Sequence, residues 1–250
     1  METDWTRHWE ENYGNLSWKI WAWRTNQAYR RILKNASLGK NPKILELGAG
    51  TGINSMLISE IAKAGEITLV DFNQKAFGIS RKIIKTMGHR TLKGAVCKAP
   101  CFWDAQEHNS ILKDGVLSSV LDIIKDSGFK LSARYISKNI LDLILDEKFD
   151  IVHSEGLIEH FYGKDRNAVF KKHIDFCKKN GLIIIFVPRK GIAYSLNKLL
   201  HKILGKWIWD EEPFSKQELH KLCRQFNLQI LKECNSLLFQ EIGILARKNN

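Results

Sequence analysis

One short segment of the chain, KILELGAGTGINS at residues 43–55, constrains the fold more than any other feature of the sequence. An apolar stretch is followed by Gly48, Gly50 and Gly52 at alternate positions, and then by a helical pattern. Glycine lets a backbone turn tightly and approach a ligand closely, and the N-terminus of the next helix offers free N–H groups. The segment therefore predicts a strand, a loop and a helix that together bind a nucleotide-like cofactor.

The same alternation of strands and helices runs along the chain and predicts an α/β fold with a largely parallel sheet. Strands are predicted at residues 43–47, 66–70, 133–137, 149–153, 182–187, 228–233 and 241–246. Helices are predicted at residues 54–63, 74–86, 165–179 and 215–226. Asn180-Gly181 is the end signal of the third helix, and a Ser215/Glu218 capping box opens the fourth. The last two strands are close enough in sequence to pair antiparallel.

Three segments interrupt this alternation. Residues 1–40 carry five of the eight tryptophans and are predicted to form a helical extension. Residues 89–130 form an insert with a predicted helix at 116–125, and residues 189–213 follow the fifth strand. In the last segment Leu196, Leu199 and Ile203 lie at helical spacing, and Lys198 and Lys202 lie four residues apart. Such a helix suits a membrane surface or a cap over an apolar, acidic substrate, although a solvated face over the core gives the same pattern.

Residues around the glycine loop distinguish between two classes of cofactor. Asp71 ends the second predicted strand, where a carboxylate can accept both hydroxyls of a ribose. A dinucleotide-binding loop, G-x-G-x-x-G, needs a small residue at the position that Ile53 occupies. Glu46, inside the first strand, is unsuited to a pyrophosphate but suits a cofactor that carries an ammonium group. These residues favour S-adenosylmethionine over a nicotinamide dinucleotide.

With these motifs in order, the chain resembles the class I S-adenosylmethionine-dependent methyltransferases over most of residues 41–250. LELGAGTG is similar to the first motif of that family, and LDEKFDIVHSEGLIEHF resembles its fourth strand and the loop after it. GLIIIFVPRK is similar to the fifth strand, and EEPFSKQELHKLCRQFNLQI to the last helix and the closing hairpin. The resemblance implies a Rossmann-like sheet of seven strands with an antiparallel C-terminal hairpin and helices on both faces. It also implies a methyltransferase domain at 41–250, with the insert 89–130 and a cap 189–213, behind an N-terminal lid at 1–40.

The resemblance further implies a set of residues that contact S-adenosylmethionine. They are Glu46, Gly48, Ala49, Gly50, Gly52, Asp71, Phe72, Asn139, Ile140, Ser154 and Glu155. Asn139 stands where the family often has an acid that accepts the adenine amino group, and an amide oxygen can accept the same hydrogen bond. His160, next to Glu159, is the candidate proton acceptor because imidazole titrates near neutrality, and packing or loop capping is the alternative role. Transfer from a sulfonium does not require a base, because the cofactor brings its own leaving group.

The charge of the chain points to an anionic partner. With 39 basic and 27 acidic residues the formal charge is +12, and residues 12–43, 72–103 and 176–209 contain no acid at all. We expect this charge to form a collar around the mouth of the acceptor site, which favours a small-molecule or lipid-like, anionic acceptor or an acidic membrane surface. A nucleic-acid methyltransferase is the alternative. It is disfavoured because residues 153–156 lack the Asn/Asp-Pro-Pro-aromatic motif of many base methylases. A non-catalytic S-adenosylmethionine-binding protein is a further alternative.

Composition and cysteine spacing predict the compartment and argue against a metal site. The longest apolar run, at residues 182–187, is far shorter than the roughly 20 residues of a membrane span. Five cysteines fit a reducing compartment, so a cytoplasmic protein is expected, with or without peripheral membrane contact. Cys97 and Cys101 have His89 and His108 nearby but lack a second close ligand pair, so no metal site is predicted.

Overall fold

The computed structural model describes Trp5, His8 and residues 16–90, 131–205, 207–236 and 240–249. The helix predicted at 116–125 and the thiols of Cys97 and Cys101 lie outside these residues.

Helices and strands alternate as the sequence predicts. The α-helices are α1 (Leu16–Leu33), α2 (Ile53–Ala62), α3 (Gln74–Arg90), α4 (Gly163–Phe176), α5 (Ile192–Ile203) and α6 (Lys216–Gln225), and a short 3₁₀ helix spans Ile158–His160. The strands are β1 (Ile44–Leu47), β2 (Glu66–Asp71), β3 (Ser132–Ser137), β4 (Phe149–Glu155), β5 (Cys177–Pro188), β6 (Leu228–Asn235) and β7 (Glu241–Lys248). The predicted capping box is confirmed, since Ser215 and Glu218 bond each other's backbone N–H at the start of α6.

All of these strands form one sheet of seven, in the order β3-β2-β1-β4-β5-β7-β6. Strands β1 to β5 run parallel, and β7 pairs antiparallel with both β5 and β6. This confirms the predicted C-terminal hairpin. The strand order reverses direction between β1 and β4, and in open parallel sheets ligands bind at the carboxyl ends of the strands beside such a switch point. Within the part of the chain that the structure describes, no helix has the length and apolar character that crossing a membrane requires.

Helices cover both faces of the sheet, each over its own layer of core. On one face α1, α2 and α3 bury residues such as Tyr29, Met56 and Phe77 against the strands. On the other face α4 and α6 bury residues such as Phe170 and Leu219. Because neighbouring residues of a strand point to opposite faces, each buried strand contributes apolar side chains to both layers.

The N-terminal segment, predicted as an extension, contributes to this core through α1. Ala28, Tyr29 and Ile32 are each fully buried. They pack in the same cluster as residues of β1, α2 and β5. The helix is therefore a structural layer of the domain.

The boundary between α4 and β5 differs from the prediction. The helix ends at Phe176 and β5 begins at Cys177, so the predicted helical end at 179 is wrong. Asn180 does adopt a left-handed backbone, with φ of 60°, but it does so inside β5. The register between β4 and β5 shifts there, and Lys178 in the irregular stretch bonds Asp150 at 2.9 Å. The Asn-Gly pair thus marks a bulge in a strand, which local sequence cannot distinguish from a helix end.

Candidate active site

The glycine loop lies between β1 and α2 at the carboxyl edge of the sheet. Gly48, Gly50 and Gly52 all have left-handed backbones, with φ of 68°, 48° and 69°. A Cβ on Gly48 would lie 2.8 Å from Leu157 Cδ1, and one on Gly52 would lie 2.6 Å from Leu69 Cδ1. The loop therefore needs glycine for its own packing, against β2 and the segment after β4, as well as for close approach of a ligand.

Asp71 lies beside this loop at the end of β2. Its Oδ2 accepts a hydrogen bond from the N–H of Gly50 at 2.7 Å, and its Oδ1 accepts one from the N–H of Asn73 at 2.8 Å. Burial raises the pKa of this carboxyl, against the lowering effect of those N–H groups. Each oxygen keeps a lone pair for a ribose hydroxyl. Phe72 presents a 58% exposed aromatic side chain next to it, and Ala49 is buried within the loop.

These features fit an adenosine-bearing cofactor. A carboxylate fixed by two backbone donors, an exposed aromatic side chain and a glycine loop at a helix N-terminus lie together at the switch point of the sheet. The carboxylate suits the ribose hydroxyls of S-adenosylmethionine, and the aromatic side chain suits its flat adenine ring. The glycine loop suits the methionine chain, which must approach the backbone closely.

Three other predicted cofactor contacts are buried or hydrogen-bonded within the protein. Asn139 is exposed, but its Oδ1 accepts a hydrogen bond from the N–H of Leu141 at 2.9 Å, in a local turn. Ile140 is buried in the core. Ser154 is fully buried on the α4 side of the sheet, where its hydroxyl donates to His173 Nε2 at 2.8 Å. The structure does not bring the Ser154 side chain to the glycine loop.

Glu46 lies beneath the loop, in a buried polar group on the α1 side of the sheet. Its Oε2 accepts a hydrogen bond from the N–H of Ser55 at 3.3 Å, in the first turn of α2. His153 of β4 lies close by, with Nε2 2.8 Å from Ser55 Oγ and Nδ1 3.8 Å from Glu46 Oε1. Burial raises the pKa of Glu46 to about 8 and lowers that of His153 to about 3. Glu46 therefore holds the N-terminus of α2 in place under the glycine loop.

Glu155, at the end of β4, joins the sheet to two helices. Its Oε1 accepts a hydrogen bond from Thr25 Oγ1 of α1 at 2.9 Å, and its Oε2 accepts one from Asn54 Nδ2 of α2 at 2.6 Å. Burial and the nearby Glu241 carboxylate raise its pKa well above the usual range. Glu241 in turn lies 3.9 Å from the guanidinium of Arg24 on α1. Sequence reasoning missed Thr25 and Asn54, because only tertiary structure places them beside β4.

His160, the candidate base, ends the 3₁₀ helix after β4. Its Nδ1–H donates to the carbonyl oxygen of Asp210 at 2.5 Å, and burial lowers its pKa. Trp5 packs edge-on against its ring, with 4.9 Å between the ring centroids. The neighbouring Glu159 is buried, and Glu211 from the segment after α5 completes a group of three with these two residues. Glu211 is a second acid that the sequence analysis did not single out.

An aromatic groove lies next to His160. The rings of Trp207 and Trp209 contact each other with centroids 5.0 Å apart, and Lys198 Nζ lies 4.9 Å from the Trp207 ring. These residues, with Lys202 and Glu211, line a groove of about 420 Å³. The segment predicted as a cap after the fifth strand thus supplies the lining of this groove, and Asp210 within it bonds His160.

The basic residues do not all gather at this edge. Lys43, just before β1, bonds Glu147 at 2.5 Å, and Lys178, early in β5, bonds Asp150 at 2.9 Å. Both lysines lie at the amino ends of their strands, opposite the glycine loop. The expectation of a collar around the site mouth is wrong for these residues, because an acid-free stretch of sequence can include both ends of a strand.

The fold and the site together define a class I S-adenosylmethionine-dependent methyltransferase: the sheet order, the antiparallel hairpin, the glycine loop and the strand-two acid all agree. Comparison with known proteins gives the family. Residues 20–233 match the profile described as "Methyltransferase domain", and the chain belongs to this methyltransferase-domain family. Its cofactor is S-adenosylmethionine. A search of curated proteins finds no significant match.

Solved structures of other methyltransferases share the fold. The N-methyltransferase NodS from Bradyrhizobium japonicum, in complex with S-adenosyl-L-homocysteine, has a TM-score of 0.54 and 10% identity, with 100% of this chain and 94% of that chain covered. Magnesium protoporphyrin IX methyltransferase from Synechocystis, with the same product bound, has a TM-score of 0.58 and 12% identity, with 98% and 93% covered. An S-adenosylmethionine-dependent methyltransferase from Clostridium acetobutylicum has a TM-score of 0.57 and 13% identity, with 98% and 97% covered.

Proposed function

We propose that this methyltransferase acts on a small, lipid-like acceptor that carries an anionic group, and that it meets the acceptor at a membrane surface. The observation that carries the proposal is the apolar face of α5. Ile192, Leu196 and Ile203 are 81%, 61% and 73% exposed, and Leu199, Leu200 and Leu204 are each more than half exposed. A helix with this much exposed apolar surface is costly in water and stabilised at the boundary of a lipid layer.

The charges around α5 agree with an anionic partner. Lys198 and Lys202 lie on this helix, next to its apolar face and at the rim of the aromatic groove. Helices that lie on membranes combine an apolar face with lysines that reach anionic head groups. The groove behind them, with Trp207 and Trp209, offers aromatic surface to an apolar chain. The lysines and the aromatic surface together therefore suit an amphiphile with an anionic head group.

The cofactor is assigned to the glycine loop and Asp71. We propose that residues 48–52 hold the methionine part, that Asp71 holds the ribose and that Phe72 packs on the adenine. In this arrangement Glu46 and Glu155 keep α2 and the loop in position. Bound S-adenosylmethionine supplies an activated methyl group, so the remaining task of the protein is to orient the acceptor and exclude water.

The N-terminal segment is proposed as a wall and cover of the acceptor side. Thr25 of α1 bonds Glu155 at the end of β4, and Trp5 packs on His160. His160 keeps one nitrogen as an acceptor, because its Nδ1–H is committed to the Asp210 carbonyl. Nε2 therefore has one free lone pair, for a proton or for another electrophilic partner.

The test uses labelled cofactor and a fractionated extract. The full-length protein is incubated with S-adenosylmethionine carrying a radiolabelled methyl group, and label is counted in lipid, small-molecule, RNA and protein fractions. We expect label in the lipid fraction, at least tenfold less with Asp71→Ala and the wild-type amount with Asp146→Asn, which removes an exposed acid far from the glycine loop. Label confined to RNA or protein would overturn the proposed acceptor class while leaving the methyltransferase assignment intact.

A further inference from the structure

Three ligand-bearing side chains meet beside the groove. One carboxylate oxygen each of Glu159 and Glu211 and a ring nitrogen of His160 all lie within 4.8 Å of one another. Glu159 and His160 belong to the 3₁₀ helix after β4, and Glu211 belongs to the segment after α5. An ion with bonds of about 2.1 Å holds its ligand atoms within about 4.2 Å of each other, so only a small closing of the side chains is needed.

Glu159 lacks the partners that a buried acid needs. Its exposure is 1%, and neither of its carboxylate oxygens has a hydrogen-bond partner among the described residues. Buried charges in proteins are paired or coordinate metals, because an isolated one is strongly unfavourable. Near it lie two further carboxyls, Glu211 and Glu241, which add to the unfavourable interaction. Arg166 acts in the opposite sense, but its guanidinium is already paired with Glu212 at 2.8 Å.

His160 and Glu211 each have the kind of hydrogen-bond partner that metal ligands usually have. His160 donates its Nδ1–H to the backbone carbonyl of Asp210 at 2.5 Å, which leaves its lone pair on Nε2. Glu211 accepts a hydrogen bond from the Tyr194 hydroxyl at 2.9 Å. A backbone carbonyl behind a ligating histidine and a donor behind a ligating carboxylate are the usual outer partners of a metal site.

We propose that Glu159, His160 and Glu211 bind a divalent transition-metal cation. One imidazole and two carboxylates form a mixed nitrogen and oxygen donor set, which suits Zn²⁺, Mn²⁺ or Fe²⁺ better than Mg²⁺. Three protein ligands leave further coordination positions open. An ion there would neutralise the buried carboxylates and present a positive centre to an oxygen of the acceptor.

Cysteine spacing predicts no metal site, because Cys97 and Cys101 lack a second close ligand pair. The cluster proposed here joins residues about 50 positions apart, which spacing alone does not reveal. Ion binding goes beyond the proposed function and does not depend on it, since it is measured without any acceptor.

The experiment titrates the metal alone. Full-length protein freed of metal with a chelator is titrated with Mn²⁺, with free ion followed by electron paramagnetic resonance, and with Zn²⁺ by calorimetry. We expect one ion per chain, bound at least about tenfold more weakly in Glu159→Gln and Glu211→Gln. The matched control is Glu212→Gln. It removes the acid next to Glu211, which is paired with Arg166 at the surface. This variant should bind the ion as the wild type does. A wild-type protein that binds neither ion, or ligand variants that bind as tightly as the wild type, would overturn the proposal.

A milder variant separates ion binding from folding. Tyr194→Phe removes only the hydroxyl behind Glu211, and we expect it to weaken the ion by about 10- to 100-fold, as loss of an outer partner does. Titration with S-adenosylhomocysteine should give the same affinity in this variant as in the wild type, since Tyr194 bonds Glu211 and contacts Trp207, both in the segment after α5. Unchanged ion affinity in Tyr194→Phe and in Glu159→Gln would show that the cluster is not a metal site.

Discussion

Helices α1 and α5 share an amphipathic sequence pattern, but the apolar face of α1 is buried and that of α5 is exposed. Both show apolar residues at helical spacing next to basic ones, and in both cases this pattern is compatible with a packed face or with a binding surface. In the structure Tyr29 and Ile32 of α1 are fully buried. Of the residues of α5, all of which the structure describes, Tyr194 alone is buried. Periodicity thus identifies an amphipathic helix but does not say what covers its apolar face.

The difference has a physical cause in the polar residues of the two helices. On α1, Thr25 bonds Glu155 of β4 and Arg24 lies beside Glu241 of β7, so both side chains tie the helix down on the sheet. Ala28 lets the helix backbone come close to the strands. On α5 the charged residues are lysines at the rim of the groove. Helix α1 packs into the core because its polar residues bond the sheet. The apolar face of α5 stays exposed and is available to another surface.

The largest effect is expected from truncating the buried face of α1. Tyr29→Ala removes a fully buried ring that packs on Phe186, with 4.7 Å between the ring centroids. We expect the free energy of unfolding to fall by about 3–5 kcal/mol, as for other buried aromatic side chains. Urea unfolding followed by circular dichroism measures it. The control is Trp23→Ala on the same helix, where 51% exposure predicts a much smaller loss. Equal losses in the two variants would mean that α1 is not a layer of the core.

For α5 we expect truncation of the apolar face to change stability little and to weaken membrane binding. Ile203→Gln replaces a side chain that is 73% exposed, so the free energy of unfolding should change by no more than about 0.5 kcal/mol. Binding to vesicles that contain phosphatidylglycerol should weaken by about 1.5–3 kcal/mol, because the apolar side chain no longer enters the lipid. Co-sedimentation measures the binding. Ile144→Gln, at an 80% exposed isoleucine in the loop before β4, serves as the control and should bind as the wild type does. Loss of stability without loss of vesicle binding would contradict the proposed role of α5.

Much of the fold can be predicted from sequence, because apolar runs and glycines are local signals. All seven strands were placed, but their ends were set too short where polar residues continue a strand. β4 is the clearest case: Ser154 and Glu155 belong to the strand although both are polar, because each has a partner on its own face of the sheet.

The candidate site could be predicted only where it is built from one segment. Gly48 to Gly52 and Asp71 follow from spacing, since a strand, a loop and the next strand fix their relation. Thr25 and Asn54 come from separate segments and meet Glu155 only in the folded chain. Glu211, from a further segment, likewise joins Glu159 and His160 only through the fold. No pattern within any of those segments signals the meeting.

The pH dependence of stability should depend on a buried histidine beneath α1 and not on α5. His153 is fully buried beneath α1 with Nδ1 3.4 Å from the Tyr29 hydroxyl, and burial lowers its pKa from 6.5 to about 3. As pH falls below 6.5, the unfolded chain therefore takes up a proton that the folded chain does not, and stability falls by up to about 1.4 kcal/mol per pH unit. In His153→Gln this slope should be reduced by that amount between pH 6.5 and 5, as measured by urea unfolding. Ile203→Gln on α5, which removes no titratable group, should leave the slope unchanged, and a wild-type slope in His153→Gln would contradict the assignment.

The smallest effect concerns the charge on α5 and tests whether its partner surface is anionic. Lys202→Gln removes one cation at the groove rim, which near an anionic membrane contributes about 1 kcal/mol, so binding to phosphatidylglycerol vesicles should weaken roughly fivefold. The difference between wild type and variant should shrink as salt rises, because screening weakens this attraction and leaves apolar insertion unchanged. Lys221→Gln on α6, a helix that buries Leu219 and Leu222 in the core, is the matched control and should bind as the wild type does. If Lys202→Gln binds as tightly as the wild type at low salt, the apolar face of α5 would have to act alone, and a neutral acceptor would replace the anionic one.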